Sequence, residues 1–246
     1  MNEHDQYMQD FFEIFGAVER WGPGSEADTL HALGLLPTPP QHLLELGCGK
    51  GVATLTLARA TQAQITAVDN EPSALAKLTE SVQQHDLAKR ILALDMDMQA
   101  LNLADASFDT LWCEASIYVM GVTQALTAWR RLLKPEGYLV FNDLVWLTDE
   151  PSQAAVAFWQ QNYPDMAPLA TRLAQVEQAG YQVIATFPLS EQGWHDYYAP
   201  LKARSAELAA TRPSSQAVKD IAKEITIYER HLGEFGYQFF ILRRKD

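Results

Sequence analysis

The chain has 246 residues, a formal net charge of −12 at pH 7 and 48% hydrophobic residues, the composition of a folded protein. The negative charge argues against nucleic acid as a partner, because a protein that binds phosphate backbones needs a basic face. No stretch approaches the ~18 apolar residues of a membrane span, and two cysteines without zinc spacing, Cys48 and Cys113, fit a reduced, cytoplasmic protein.

The N-terminal part of the chain is predicted to be helical. Apolar residues at helical spacing predict a helix over residues 7–18, and Ser25 is a suitable N-cap for a second helix over 26–35. From residue 42 onward, short apolar runs alternate with amphipathic stretches, which is typical of parallel strands joined by helices. The predicted strands are 42–46, 65–68, 91–94, 108–113, 138–142, 183–187 and 237–242. The main predicted helices of this part are 52–60, 72–84, 122–133, 169–179 and 217–231.

About fifty residues separate the last two predicted strands, and an insertion of that length is usually functional or forms a cap. It begins with an aromatic group, Trp194-His195-Asp196-Tyr197-Tyr198. The sequence therefore predicts four segments. They are an N-terminal helical lid (1–36), a nucleotide-binding core (37–189), a helical and aromatic cap insertion (190–235) and the last core strand (236–246).

A glycine-rich turn follows the first predicted strand and leads directly into a helix. The residues 43–51 read LLELGCGKG, so a ligand can approach the backbone closely and meet the free N–H groups of the helix. A dinucleotide fingerprint would place its third glycine at position 52, which is Val52. Glu45 would repel a pyrophosphate but suits an ammonium group, and Asp69 at the next strand end suits ribose hydroxyls. The pair favours a nucleoside joined to an amino acid over a dinucleotide.

With these motifs the sequence resembles the class I S-adenosylmethionine-dependent methyltransferases. Within them it is similar to the small-molecule branch of methyltransferase type 11, which includes the ubiquinone/menaquinone methyltransferase-like proteins. The resemblance covers roughly residues 41–142, and the flanking groups around Trp21 and Trp194 resemble uncharacterised bacterial members. It implies an α/β, Rossmann-like fold with a seven-stranded, mostly parallel sheet whose last strand is reversed, helices on both faces and a helical lid.

The resemblance also implies a cofactor, S-adenosylmethionine, with S-adenosylhomocysteine as the product of in-line methyl transfer to a small molecule. Asp69 would bind the ribose, and the pair Asp97-Met98 would receive the adenine. Asp95 is an alternative to Asp97, but the family pattern places the acid about ten residues before Phe108 and favours Asp97. The predicted cofactor-binding residues are Glu45, Gly47, Cys48, Gly49, Asp69, Asn70, Asp97, Met98 and Glu114.

The acceptor site is sought beyond the carboxyl ends of the strands, where such sheets bind ligands. The catalytic candidates are Tyr118 and Asp143, which follow the fourth and fifth strands, and His195 in the insertion. His195, Tyr197 and Tyr198 line an acceptor pocket in one interpretation and form the core of the cap in the other. The pocket candidates are Tyr7, Trp21, Tyr118, Trp146, Trp194, Tyr197 and Tyr198.

Two other functions remain open on the sequence alone. One is an NAD-dependent dehydrogenase, against which Val52, Glu45 and the Asp97-Met98 pair argue. The other is a binding protein that keeps the cofactor pocket without catalysis, as a sensor or a partner subunit.

No group of residues has the spacing of metal ligands, so no metal is expected. The chain is expected to be a monomer or a homodimer.

Overall fold

The computed structural model describes residues 2–16 and 18–246. Its helices are α1 (Glu3–Gly16), α2 (Glu26–Gly34), α3 (Val52–Ala60), α4 (Pro72–Gln84), α5 (Val122–Trp129), α6 (Gln153–Asn162), α7 (Leu169–Gln178), α8 (Glu191–Thr211) and α9 (Gln216–His231). Its strands are β1 (His42–Leu46), β2 (Gln64–Asp69), β3 (Ile91–Asp95), β4 (Phe108–Cys113), β5 (Leu133–Trp146), β6 (Ala167–Pro168), β7 (Tyr181–Pro188) and β8 (Phe235–Arg244).

One sheet runs through the chain in the order β3-β2-β1-β4-β5-β8-β7, and the two-residue strand β6 pairs with β5. Neighbouring strands are parallel except at β8, which is antiparallel to both β5 and β7. The predicted seven-stranded, mostly parallel sheet with a reversed last strand is therefore confirmed, with β6 as an addition. The strand order reverses between β1 and β4, and such a switch point opens a crevice at the carboxyl ends of the strands.

The sheet is buried on both faces, as expected for parallel strands covered by helices. Alternate residues of a strand enter different apolar clusters: Leu43 and Trp112 belong to one, and Leu44 and Leu111 to the other. All four side chains are fully buried. This two-sided core holds the strand ends, and the loops that follow them, in fixed positions.

The fifth strand is longer than the sequence predicts. The helix predicted over 122–133 ends at Trp129 and is followed by a 3₁₀ turn over Arg130–Leu132, and β5 begins at Leu133. In the register between β4 and β5, Phe108 pairs with Leu133 and Thr110 pairs with Tyr138. Residues 134–137 therefore bulge out of the ladder, which explains why they have the composition of a turn inside a strand.

The N-terminal helices and the insertion pack on each other. Helix α1 contacts both α8 and α9, and Arg212 binds Asp10 and Glu13 at 2.7 Å each. Asp28 of α2 accepts hydrogen bonds from the backbone N–H and the hydroxyl of Ser190 at 3.1 and 2.8 Å. In the described part of the chain, no helix is both long and apolar enough to cross a membrane.

Candidate active site

The glycine-rich turn connects β1 to α3 at the switch point of the sheet. Gly47 and Gly49 have φ angles of +71° and +52°, in the left-handed region that glycine tolerates best. Asp69, at the end of β2, accepts the Gly49 N–H on Oδ2 at 2.7 Å and the Glu71 N–H on Oδ1 at 3.0 Å. Asp69 thus fixes the shape of the turn in addition to facing the space above it.

A cavity of about 300 Å³ lies over this turn. It brings together every residue predicted to bind the cofactor: Glu45, Gly47, Cys48, Gly49, Asp69, Asn70, Asp97, Met98 and Glu114. Asp95 does not line the cavity, whereas Asp97 does. This placement favours Asp97 over Asp95 as the acid that faces a ligand.

Glu45 is a buried acid with one oxygen that has no partner in the described part of the chain. Its residue is 3% exposed, and its Oε2 atom has no hydrogen-bond partner among the described residues. Burial raises the pKa of Glu45 to about 8. The side chain of Thr54 and the charge of Arg20 act in the opposite direction, while the carboxylates of Glu114 and Asp69 raise this pKa further. A cationic ligand group would favour the charged form of this acid, so the position suits an ammonium group.

The cavity is also open beside the backbone of the glycine turn, where a ligand could lie. A Cβ atom added to Gly49 would meet no heavy atom within 4 Å, so the glycine leaves open space at the wall. Together, the buried acid, the open turn and the acid at the end of β2 fit a ligand that joins an ammonium group to a ribose.

The Glu114 carboxylate lines the cavity but already has three donors. Arg20 donates to Oε2 at 2.9 Å, and Thr29 and the Trp112 indole each donate to Oε1 at 2.8 Å. We therefore interpret Glu114 as the residue that holds the N-terminal segment on the sheet, and as a wall of the cavity.

Two further contacts hold the N-terminal segment, one to the glycine turn and one to the loop after β4. The Lys50 ammonium donates to the carbonyl oxygens of Gly16 and Val18 at 2.9 and 2.5 Å. A Cβ at Gly22 would lie 2.4 Å from the Cβ of Ala115, so only glycine allows this approach. The sequence analysis did not single out either contact, because each joins segments far apart in the chain.

A second cavity, of about 380 Å³, adjoins the first and is lined mostly by aromatic side chains. The two cavities share five lining residues: Phe12, Trp21, Gly22, Ala115 and Tyr118. Among the predicted pocket residues, the second cavity includes Trp21, Tyr118, Trp194, Tyr197 and Tyr198. A ligand in it would therefore lie next to a ligand over the glycine turn.

Four predicted residues are not brought to either of these cavities: Tyr7, Trp146, His195 and Asp143. Tyr7 and Trp146 line neither of them, although both pack against the apolar core. The His195 side chain is 71% exposed on the outer side of α8. His195 is therefore not supported as a catalytic candidate.

The Asp143 carboxylate forms a buried ion pair with Arg172 and is not a free acid. Its carboxylate accepts the Nε–H of Arg172 at 2.7 Å and the hydroxyl of Tyr163 at 2.7 Å. Both charged side chains are essentially fully buried, and Asp143 lines neither cavity. The catalytic interpretation of Asp143 is not supported, because its two oxygens are committed to groups that hold β5 to α7.

We expect Asp143→Ala to lower the free energy of unfolding by about 3–5 kcal/mol, since it leaves the Arg172 charge buried without its main partner. Asp165→Ala is the matched control. Asp165 also contacts Arg172, at 3.2 Å, but its side chain is 50% exposed, and exposed pairs contribute about 0–1 kcal/mol. Urea unfolding of both variants measures the difference. Equal, small losses would contradict a structural role for Asp143.

Sequence reasoning missed one acid in the aromatic cavity. Glu224 of α9 lines it and accepts the Tyr198 hydroxyl at 2.9 Å. A signal was present: Glu224 lies three residues after Ile221 and one before Ile225, on the face that carries the buried apolar residues of α9. An acid on the apolar face of an amphipathic helix is a candidate for a buried functional group.

Residues 2–16 and 18–246 contain no group of three or more histidine, cysteine or carboxylate side chains that could hold a metal ion. Cys48 and Cys113 are both buried. Burial raises the pKa of each thiol well above its usual range, so neither resembles an activated nucleophile.

Comparisons with known proteins agree with this geometry. Residues 43–137 match the family model of a methyltransferase domain. A malonyl-[acyl-carrier protein] O-methyltransferase of Methylovorus sp. (strain MP688) is 34% identical over 123 residues, which are 47% of this chain and 40% of that protein. The 27-O-demethylrifamycin SV methyltransferase of Amycolatopsis mediterranei (strain S699) is 26% identical over 242 residues, 87% of this chain and 81% of that protein.

The fold has a similar counterpart among solved structures. A methyltransferase from Geobacter sulfurreducens, described as S-adenosylmethionine-dependent and solved with S-adenosyl-L-homocysteine, superposes with a TM-score of 0.81. The identity is 20%, and the match covers 96% of this chain and 98% of that one. At this identity the likeness establishes the fold. The chain spans less than half the length of the Methylovorus relative, so the match to that protein concerns the domain and not its whole activity.

Proposed function

We propose, from the premise that the chain belongs to the class I S-adenosylmethionine-dependent methyltransferases, that it transfers a methyl group to a small molecule in the aromatic cavity. The observation that carries the proposal is the adjacency of two cavities. One is built for a nucleoside joined to an amino acid, and the other has an apolar, aromatic wall. The two meet at Trp21 and Tyr118.

Different residues around the glycine turn would bind different parts of the cofactor. Glu45 would receive its ammonium group, Asp69 its ribose hydroxyls, and Asp97 and Met98 its adenine. When bound, S-adenosylmethionine supplies a methyl group on a sulfonium, which is already activated toward a nucleophile. The chain's own contribution is then chiefly to hold the acceptor beside that group, and orientation of this kind provides effective molarities of ~10⁵–10⁸ M.

The acceptor is proposed to lie under a lid formed by the N-terminal segment and the insertion. Phe11, Phe12 and Phe15 of α1 and Trp194, Tyr197 and Tyr198 of α8 line the aromatic cavity from two sides. Aromatic walls provide a large apolar contact area for a small ligand. Their closure also keeps water away from the reacting groups.

Cofactor binding is expected to release a proton from Glu45. Its pKa of about 8 in the free protein falls when an ammonium group pairs with the carboxylate. The complex then holds fewer protons than the free protein, so affinity for S-adenosylhomocysteine rises with pH. The rise approaches about tenfold per pH unit well below the pKa of Glu45 and levels off near pH ~8, where Glu45 of the free protein is already ionised.

Calorimetry in buffers of different ionisation enthalpy measures that proton release, and Glu45→Gln is the control, because it cannot titrate. Wild-type affinity that is flat between pH ~6 and ~7.5, with no proton released, would show that Glu45 does not face the ammonium group.

Transfer itself is tested with S-adenosylmethionine labelled in its methyl group and a fractionated metabolite extract. The wild-type protein is expected to move the label into a small organic product, and the Asp69→Ala variant to move far less. A protein that binds S-adenosylhomocysteine but labels no fraction would instead be a cofactor-binding sensor or partner subunit.

A further inference from the structure

The aromatic cavity contains one charged side chain among the described residues that line it. That side chain is the carboxylate of Glu224, and no lysine, arginine or histidine is present in the described lining. The remainder of the wall is aromatic, aliphatic or amide in character. The described lining therefore contributes one acid and no base; cations such as the Lys223 ammonium, 5.6 Å from the ring centroid of Phe158, lie behind the wall.

Among the described residues, no cationic side chain pairs with Glu224. The residue is half-buried, and the hydrogen bond that the described residues give its carboxylate is the one from the Tyr198 hydroxyl to Oε1 at 2.9 Å. Burial raises the pKa of Glu224, while this hydrogen bond acts in the opposite direction. A carboxylate in apolar surroundings is stabilised only by a partner that brings positive charge or a strong donor.

The aromatic side chains next to Glu224 suit a positive group. The Tyr198 ring stacks on that of Tyr228, with centroids 3.9 Å apart, and lies nearly parallel to the Trp194 ring, whose centroid is 6.1 Å from that of Tyr198 and 5.8 Å from that of Tyr228. Trp194 and Tyr198 both line the cavity. The faces of tryptophan and tyrosine rings attract cations, and more strongly when water is excluded.

Glu224 lies in the cavity proposed for the acceptor and not in the one proposed for the cofactor. It lines the aromatic cavity but not the cofactor cavity, whereas Trp21 and Tyr118 line both. A group held by Glu224 therefore lies in the aromatic cavity and outside the cofactor cavity. A protonated nitrogen also has no free electron pair with which to attack, so the group that Glu224 holds is a different atom from the nucleophile.

We propose that Glu224, with the rings of Trp194 and Tyr198, forms a subsite for a protonated amine carried by the acceptor, at the end of the acceptor away from the methylated atom. This inference rests on the proposed function and names its substrate class: an apolar or aromatic molecule with an ammonium group. Acceptors that carry a carboxylate or phosphate at that end are excluded by the same charge.

Three small probes with the same phenyl ring test the subsite: phenethylamine, 2-phenylethanol and phenylacetate. Their binding is measured calorimetrically at neutral pH in the presence of saturating S-adenosylhomocysteine. The wild-type protein is expected to bind the ammonium probe about tenfold or more tightly than the alcohol, the gain of one charge-assisted contact. It is expected to bind phenylacetate most weakly.

The variant Glu224→Gln keeps the shape of the side chain and removes its charge, so it is expected to bind the amine and the alcohol alike. Glu229→Gln is the matched control, because Glu229 lies on the same helix but faces outward and pairs with Lys202. That variant is expected to keep the wild-type preference.

Absence of a preference for the amine in the wild-type protein, or its survival in Glu224→Gln, would overturn the inference, as would failure of phenethylamine to bind at all. S-adenosylhomocysteine binding is measured in the same samples. If it binds all three proteins equally while the amine preference is absent, this inference fails and the proposed function stands. If it does not bind wild type, the proposed function fails.

Discussion

Replacing Asp69 with alanine is expected to lower the affinity for S-adenosylhomocysteine by about two to four orders of magnitude. Two ribose hydroxyls would each lose a charge-assisted hydrogen bond worth ~1.5–3 kcal/mol, and each 1.4 kcal/mol is about tenfold in affinity. The Gly49 N–H would also lose its acceptor at 2.7 Å, which loosens the turn that shapes the cavity. Titration calorimetry gives the affinity, and thermal unfolding shows that the variant is folded.

Asp95→Ala is a closely matched control for Asp69→Ala. Asp95 pairs with Asp69 in the register between β2 and β3, so both acids end adjacent strands, but Asp95 is exposed and does not line the cavity. Its replacement is expected to change affinity by no more than a few-fold. If the two variants bind alike, Asp69 is not the ribose ligand and the placement of the cofactor is wrong.

Deleting residues 1–15 is expected to reduce methyl transfer by at least ~100-fold, while affinity for S-adenosylhomocysteine changes by less than ~10-fold. The deletion removes Phe11, Phe12 and Phe15 from the wall of the aromatic cavity, so the acceptor loses its position and water enters. Misplacing a reactant by about 1 Å is enough to cost about 100-fold in rate. The carboxylates of Glu45, Asp69 and Asp97 are untouched.

A shorter truncation, of residues 1–6, is the control for the lid. Of its described residues, 2–6, none lines either cavity, and the truncated protein is expected to keep near wild-type turnover. Trp21→Ala tests the same wall without a deletion, because Trp21 borders both cavities. Full activity in the long truncation and in Trp21→Ala would move the acceptor site away from this lid.

Much of the sheet and of the cofactor cavity was predictable because the signals are local. A buried strand, a glycine turn and a helix follow one another within residues 42–60, and Asp69 ends the next strand. Parallel strands with a switch point bring such ends together whatever the rest of the chain does. The roles of the individual side chains in that cavity remain proposals, to be tested as described above.

The acceptor side was less predictable because it depends on packing between distant segments. Asp143 follows a strand in the expected place, but Arg172 and Tyr163 bury it in a network that no sequence spacing reveals. His195 is a different case. Trp194, Tyr197 and Tyr198 follow helical spacing and face inward, and the same periodicity turns residue 195 toward solvent.

The central claim is that this chain binds a nucleoside joined to an amino acid and not a dinucleotide. Titration calorimetry of the wild-type protein with S-adenosylhomocysteine and, separately, with NAD tests it most directly. We expect saturable binding of S-adenosylhomocysteine, with affinity that increases toward pH ~7.5 as Glu45 loses its proton, and no binding of NAD. Binding of NAD without binding of S-adenosylhomocysteine would contradict this claim.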